Sequence, residues 1–181
     1  PSFDSFGWLW EAERDGAVRA YNTASTNEKE RSKGIEIPVS WRSGMTFSSL
    51  RISHDGARVV VVGTRDGTAA VVMSGVVRDS SGTPKGFTEP VRVTSSITPR
   101  TAVWAGEQNL VVVNDKTGES EVTTLSGEET KFDRLDGVKS VSAAGNTSNM
   151  LAHRSDGSCY VLEERGWNRL NTSTREMSFA G

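Results

Sequence analysis

The chain has 181 residues, of which 35% are hydrophobic and 24% are charged, and its formal net charge is −2. This length is sufficient for one domain with a substantial core. The balanced charge argues against a protein that binds nucleic acid through a basic surface. Apolar runs such as Val59–Val62 are far shorter than the roughly 20 residues that span a bilayer, so we expect no membrane-spanning segment.

Short β-type runs separated by turn residues recur along the chain, which is typical of an all-β fold. Four segments share one form, in which an apolar strand ends in polar residues and a glycine, and a second strand begins at once. These segments are Gly7–Asn22, Ala57–Met73, Asn109–Leu125 and Asn149–Leu162. The glycine supplies the positive φ of a tight hairpin turn. We therefore predict one hairpin in each segment.

Two glycine series indicate a structural repeat. The turn glycines Gly16, Gly67, Gly118 and Gly157 are separated by 51, 51 and 39 residues. A second series, Gly7, Gly56, Gly106 and Gly145, follows a short strand in each unit. A further strand is predicted at Ile35–Trp41, Pro90–Thr94, Thr130–Phe132 and Trp167–Leu170. Four strands per unit of about 40–50 residues are typical of β-propeller blades, although Asp-Gly hairpins in an ordinary sandwich are the alternative.

The sequence thus predicts one domain over residues 1–172, with a C-terminal tail over 173–181. Its four antiparallel, four-stranded blades cover about 1–42, 48–95, 99–133 and 138–171. They form either a closed ring or a fragment of a larger propeller. We expect Val59–Val62 and Leu110–Val113 to be buried on both faces. Two segments, Thr23–Gly34 and Arg78–Glu89, are predicted to be exposed loops.

The chain lacks the sequence motifs of common catalytic and cofactor sites. No Gly-x-Ser-x-Gly, P-loop, Gly-x-Gly-x-x-Gly or Cys-x-x-Cys is present. The two histidines, His54 and His153, fall in different blades, where they could not form a zinc site without carboxylate ligands. The single cysteine, Cys159, excludes an intrachain disulfide and is predicted to be an inert buried thiol without a basic neighbour. We predict no enzyme, cofactor or metal.

Charged residues recur at the hairpin turns. Both acidic and basic residues precede the turn glycines. These residues are Arg14, Asp15, Arg65, Asp66, Lys116, Arg154 and Asp156. Blade symmetry would bring these turns to one face as a mixed-charge rim suited to a protein partner. Asp before Gly also favours the hairpin itself, so a solvated rim without a partner is the alternative. A pair of these carboxylates at a suitable distance would instead support a hydrolase.

The tryptophans distinguish two further possibilities. Trp8, Trp10, Trp41, Trp104 and Trp167 fall in or beside predicted strands, and we expect them to pack between blades. If they were exposed on one face, they would provide a platform for an envelope glycan.

The opening segment Pro1–Trp10 resembles part of the C-terminal β-propeller of the LpqB family of actinobacterial lipoproteins. Ser49–Val62 resembles the blade motif that follows it there, and Ala102–Ala105 with Leu110–Val113 keep the order of a third blade. The resemblance implies a lipid-anchored protein outside the cytoplasmic membrane, with a GerMN domain ahead of the propeller. It also implies association with the MtrAB two-component system, through the extracytoplasmic part of the sensor histidine kinase MtrB, and with envelope and cell-division homeostasis. It assigns no catalytic residues.

This chain lacks the lipobox cysteine and the GerMN region, and it begins with Pro1. We therefore expect a piece of a longer protein. The predicted function is non-catalytic binding of another protein, with an envelope glycan-binding module and a propeller hydrolase as alternatives. Exposed faces of end blades would favour a homodimer.

Overall fold

The computed structural model describes residues 1–13, 16–125, 134–143, 149–163 and 166–170. The prediction of an all-β fold is confirmed, since these residues form sixteen strands and one short helix. The strands form four antiparallel sheets of three to five strands. The chain divides into two compact units, Pro1–Val93 and Thr94–Gly181, called unit 1 and unit 2 below. Among the described residues, no helix has the length and apolar character needed to cross a membrane.

The first sheet of unit 1 contains four strands in chain order. They are β1 (Ser2–Phe3), β2 (Trp8–Ala12), β3 (Val18–Asn22) and β4 (Ile35–Ile37). A helix, α1 (Glu28–Lys33), lies between β3 and β4. It begins at Asn27, whose side-chain oxygen accepts a hydrogen bond of 3.0 Å from the Lys29 amide, as an N-cap does. The segment predicted to be the loop Thr23–Gly34 therefore contains one short exposed helix.

The second sheet of unit 1 has five strands. They are β5 (Met45–Ile52), β6 (Arg58–Arg65), β7 (Thr68–Arg78), β8 (Pro84–Phe87) and β9 (Val91–Val93). The first part of β7 pairs with β9, whereas its last residues pair with β8. The prediction of a loop over Arg78–Glu89 is wrong, because β7 continues through Arg78 and turns into β8 as a hairpin. The β-type run Val76–Arg78 that takes part in this pairing is short and is followed by the turn signal Asp-Ser-Ser-Gly.

Unit 2 contains the remaining two sheets. The third sheet comprises β10 (Thr101–Ala105), β11 (Asn109–Asn114) and β12 (Glu119–Thr124). The fourth comprises β13 (Val138–Ala143), β14 (Met150–Arg154), β15 (Cys159–Glu163) and β16 (Gly166–Arg169). The strand predicted at Thr130–Phe132, Gly145 and the tail over 173–181 lie outside the described residues.

The hairpins form where the turn glycines predicted them. The four glycines of that series have φ between +77° and +85°, which L side chains adopt only with strain. At the β6–β7 turn Asp66 also has a positive φ, of 50°. Positive φ at both central residues is the type I′ geometry whose twist matches that of the flanking strands.

Each unit has its own apolar core. In unit 1 the first and second sheets contribute Trp10, Val18, Val59 and other buried residues to one cluster. In unit 2 the third and fourth sheets contribute residues such as Val111, Val113 and Met150. Burial of Val59–Val62 and of Leu110–Val113 on both faces is confirmed, because each of these side chains is at most 1% exposed.

Candidate functional site

Most of the charged residues predicted to form a rim are exposed where the structure describes them. Arg65 and Asp66 lie in the β6–β7 turn of unit 1, and Lys116 lies in the β11–β12 turn of unit 2. Arg154 and Asp156 flank the β14–β15 turn, with Arg154 half-buried and Asp156 exposed. The other two predicted rim residues, Arg14 and Asp15, lie outside the described residues. The role of the rim as a binding surface stays a prediction.

In unit 1 the rim arginine is held by the backbone. Nη2 of Arg65 donates a hydrogen bond of 2.8 Å to the carbonyl oxygen of Trp41. Trp41 lies in the connection between the first and second sheets, so this contact attaches the turn to that connection. Gly16, in the β2–β3 turn, lies beside the same connection, because a Cβ at Gly16 would lie 3.9 Å from Cδ of Arg42. The turns of both sheets and their connection therefore share one edge of unit 1.

Unit 2 has the corresponding arrangement. Nε of Arg154 donates a hydrogen bond of 2.6 Å to the carbonyl oxygen of Asp136, and its Nη1 lies 3.3 Å from Oδ2 of Asp156. Gly137, next to Asp136, packs against Gly118 of the neighbouring turn. A Cβ added at Gly118 would lie only 2.8 Å from the Gly137 Cα. The structure therefore brings the turns that carry Lys116, Arg154 and Asp156 to one edge of unit 2.

The same edge of unit 2 carries an ion pair that sequence reasoning missed. Nε of Arg100 lies 2.8 Å from Oδ1 of Asp115, and both side chains are exposed. Asp115 stands one residue before Lys116, within the turn sequence Asn-Asp-Lys-Thr-Gly. The repeat does not reveal Asp115, because this residue is shifted by two positions relative to the Asp-Gly pairs of the other turns.

The carboxylate of Asp156 accepts hydrogen bonds within its own turn. The Ser158 hydroxyl donates a hydrogen bond of 2.5 Å to Oδ1 of Asp156, and the Ser158 amide donates one of 2.9 Å. These bonds lower the pKa of Asp156 below its ordinary value. The group is therefore negatively charged at neutral pH and suited to ion pairing, whereas a general acid needs a raised pKa.

A buried ion pair joins the two sheets of unit 1. Oδ2 of Asp4 lies 2.6 Å from Nη2 of Arg78, and their side chains are 0% and 14% exposed. Asp4 also accepts hydrogen bonds of 3.0 Å from the Phe6 and Trp8 amides and one of 2.9 Å from the Trp10 indole. Sequence reasoning missed this pair because its members are 74 positions apart.

Beside this ion pair lies a groove of about 260 Å³. The first sheet and the β7–β8 hairpin form its two walls. Its lining residues are Phe6, Trp8, Asn22, Ala24, Ser25, Ser81, Gly82 and Thr83. No local pattern predicts the groove, because one wall is the β7–β8 hairpin, in the segment expected to be a loop.

The tryptophans are mostly buried. Trp10 is 0% exposed, and Trp8 and Trp104 are at most 9% exposed. Trp41 and Trp167 are half-buried, and neither indole nitrogen makes a hydrogen bond to any residue that the structure describes. Trp8 and Trp10 pack between the first and second sheets, in agreement with the expected packing between blades. These five side chains do not form an exposed aromatic platform.

Cys159 is buried, as predicted, and the structure gives it a histidine neighbour that the sequence analysis did not name. His153 pairs with Cys159 across the β14–β15 hairpin, and its Nδ1 lies 3.3 Å from the Cys159 Sγ. Strand register places the two side chains on the same face, which spacing along the chain alone did not reveal. His54 is exposed in the turn between β5 and β6. In the part of the chain that the structure describes, no three His, Cys, Asp or Glu side chains converge.

The family model described as the lipoprotein LpqB beta-propeller domain matches residues 1–177. Lipoprotein LpqB of Streptomyces avermitilis is 28% identical over 123 residues, which are 65% of this chain and 19% of that protein. The chain therefore spans about a fifth of the length of this relative. Among solved structures, the C-terminal WD40 domain of Sif2 is similar with a TM-score of 0.50 and 15% identity, over 91% of this chain and 42% of that one. This likeness shows the β-propeller fold alone.

Proposed function

The chain belongs to the family of lipoprotein LpqB β-propeller domains, and on that premise we propose that it is a non-catalytic protein-interaction domain of a cell-envelope lipoprotein. The proposed location is extracytoplasmic, attached to the membrane through a lipid anchor elsewhere in the longer protein. The proposed partner is the extracytoplasmic domain of an MtrB-like sensor histidine kinase. Binding would modulate the two-component system and so contribute to envelope and cell-division homeostasis.

The exposed, charged hairpin turns are the observation that carries this proposal. In each unit the described turns present basic and acidic side chains at one edge of the sheets, and Arg65 and Arg154 each donate a hydrogen bond to a backbone carbonyl oxygen. An edge that carries anchored side chains of both signs of charge favours recognition of a protein surface with the complementary pattern. It also limits the side-chain entropy that is lost on binding.

The non-catalytic part of the proposal rests on the state of the turn carboxylates. The Ser158 hydrogen bonds lower the pKa of Asp156, and Asp66 serves the positive-φ position of its hairpin. Both arrangements stabilise the hairpin turn itself. A hydrolase would require one carboxyl group with a raised pKa close to a second carboxylate.

The experiment is a titration of this chain, and of the complete propeller region, with the purified extracytoplasmic domain of the kinase. Charge reversals Arg65→Glu and Lys116→Glu test the rim. Arg92→Glu, an exposed residue of β9, is the matched control because it makes the same charge change on an outer strand. We expect saturable binding, weakened at least about tenfold by the rim variants and less than about twofold by the control.

Binding should also weaken as the salt concentration rises, because exposed charges are screened over about 8–10 Å at physiological ionic strength. Absence of binding by both proteins would refute the proposed partner. Equal effects of Lys116→Glu and Arg92→Glu would refute the rim as the binding surface.

A further inference from the structure

We propose that the groove between the first sheet and the β7–β8 hairpin of unit 1 is a binding subsite for a neutral sugar ring. The groove is separate from the charged hairpin turns, and the proposal does not depend on protein binding there. Four observations support it: the exposed Phe6 ring, the polar groups of the lining, the absence of charge in that lining, and the rigidity of both walls.

The Phe6 ring offers an apolar surface. It is 56% exposed, yet it is fixed from the other side by two contacts. The guanidinium carbon of Arg78 lies 4.8 Å from the ring centroid. A Cβ at Gly56 would lie only 2.9 Å from Cδ2 of Phe6, so the glycine allows the ring to approach the backbone. An immobilised aromatic ring with an exposed surface can cover the C–H groups of a pyranose with little further loss of entropy.

Polar groups complete the lining. The side-chain amide of Asn22 makes no hydrogen bond to any residue that the structure describes, so its donor and acceptor are available to a ligand. Opposite, the Ser81 hydroxyl donates to Oδ1 of Asp79 at 2.6 Å and lies 2.9 Å from the Thr83 hydroxyl. Each hydroxyl oxygen retains acceptor capacity for a ligand O–H. Amide and hydroxyl groups beside an aromatic ring are the combination that binds vicinal hydroxyls and ring C–H groups together.

The lining has no charged side chain among its eight residues. Two cationic side chains of the adjoining hairpin are already paired, since Arg78 lies 2.6 Å from Asp4 and Lys85 lies 3.1 Å from Asp79. An anionic ligand would therefore lose its hydration without a cationic partner. The groove thus favours a neutral saccharide over an acidic one.

Both walls are held in place without a ligand. Thr23 ties the loop after β3 to the Gly7 carbonyl through its amide at 3.0 Å and its hydroxyl at 2.6 Å. The other wall is the turn between β7 and β8, where Arg78 Nη1 donates to the Gly82 carbonyl at 2.9 Å. Since Arg78 also pairs with Asp4 of the first sheet, one side chain connects the two walls. A site formed in advance is the common state of small-ligand pockets.

The size of the groove limits the ligand. A volume of about 260 Å³ lies just below the usual range of roughly 300–1,000 Å³ for ligand pockets. It accommodates one sugar ring, with neighbouring rings of an oligosaccharide in solvent. For so few atoms, a dissociation constant on the order of 1 mM is expected.

The test uses the complete chain and ligand-observed and protein-observed NMR titrations with N-acetylglucosamine, chitotriose and methyl α-glucoside. Glucuronate and N-acetylneuraminate serve as acidic comparison sugars. Phe6→Ala and Asn22→Ala probe the groove. Phe3→Ala is the matched control, because Phe3 is 51% exposed but does not line the groove. Amide shifts outside the substituted position verify that each variant is folded.

We expect at least one neutral sugar to bind at millimolar concentration, with chemical-shift changes centred on residues 22–25 and 81–83. Each groove variant should weaken binding about tenfold, whereas Phe3→Ala should leave it within about twofold. Failure of all three neutral sugars to bind at tens of millimolar would overturn the proposal. So would tighter binding of the acidic sugars, or equal effects of Phe6→Ala and Phe3→Ala.

Discussion

Replacing Arg78 by methionine tests how strongly the β7–β8 hairpin is attached to the first sheet. Methionine retains much of the apolar stem of the side chain but leaves the Asp4 carboxylate, 0% exposed, without its cationic partner. Removing one member of a buried ion pair destabilises a protein by about 3–5 kcal/mol. That loss is large relative to the roughly 5–15 kcal/mol that stabilises a typical domain.

Other contacts of Arg78 are lost in the same variant. Its guanidinium donates to the Gly82 carbonyl at 2.9 Å and to the Gly56 carbonyl at 3.3 Å. It also lies 5.8 Å from the Trp10 ring centroid, within reach of a cation–π interaction. We therefore expect a destabilisation near the upper end of the range, about 4–5 kcal/mol. Arg78→Lys retains the charge but not the several directed hydrogen bonds, so it should cost less than Arg78→Met.

The assay is urea unfolding followed by tryptophan fluorescence, combined with hydrogen exchange of the β7–β8 amides. The matched control is Arg19→Met. The Arg19–Glu13 pair has the same N–O distance of 2.6 Å, but its side chains are 36% and 43% exposed. Exposed pairs contribute little because water solvates both charges, so this variant should unfold at nearly the same urea concentration as the original chain.

A double-mutant cycle isolates the coupling between the two charges. Asp4→Asn removes the buried carboxylate, so Arg78→Met should cost less in that background. We expect the double variant to be more stable than the sum of the single effects predicts, by about 2 kcal/mol. The reasoning is refuted if Arg78→Met costs less than about 1 kcal/mol, or if the two effects add within about 0.5 kcal/mol.

Two further predictions concern hairpin turns. Gly118→Ala should destabilise unit 2 more than Gly157→Ala. The two glycines have similar φ, +79° and +82°, but only at Gly118 would the new Cβ meet a backbone atom, 2.8 Å from the Gly137 Cα. Equal urea midpoints for the two variants would contradict this prediction. The Ser81 hydroxyl lowers the pKa of Asp79, so the carboxylate should stabilise its turn above its unfolded pKa of about 3.9, and that contribution should disappear as the pH falls through the lower folded value. Hydrogen exchange of the turn amides, measured from about pH 7 to pH 2, should be slower in the original chain than in Asp79→Asn. This difference in exchange rate should shrink only below about pH 4. If it is already lost near pH 6, Asp79 is not its cause.

Some surface features follow from local sequence, whereas others depend on contacts between distant residues. The turns with Arg65, Asp66, Lys116 and Asp156 are exposed as predicted because a tight hairpin turn between two buried strands has to reach solvent. The pairing of Arg100 with Asp115 was not predictable from the repeat, since it depends on the conformation of the connection before β10. The groove likewise depends on contact between residues near positions 6 and 82, which no local pattern links.

The sequence by itself determined the elements whose causes are local. Glycines at positive φ, Asp-Gly turns and short valine-rich runs act over a few residues, so they specified the hairpins, the repeat and the buried strands Val59–Val62 and Leu110–Val113. The tertiary structure decided what depends on residues distant in the chain. β7 continues beyond its predicted end to Arg78, whose guanidinium pairs with Asp4 in the connection between β1 and β2. That contact joins residues 74 positions apart and connects the β7–β8 hairpin to the first sheet beside the groove, and strand propensity does not reveal it because propensity acts over only a few residues.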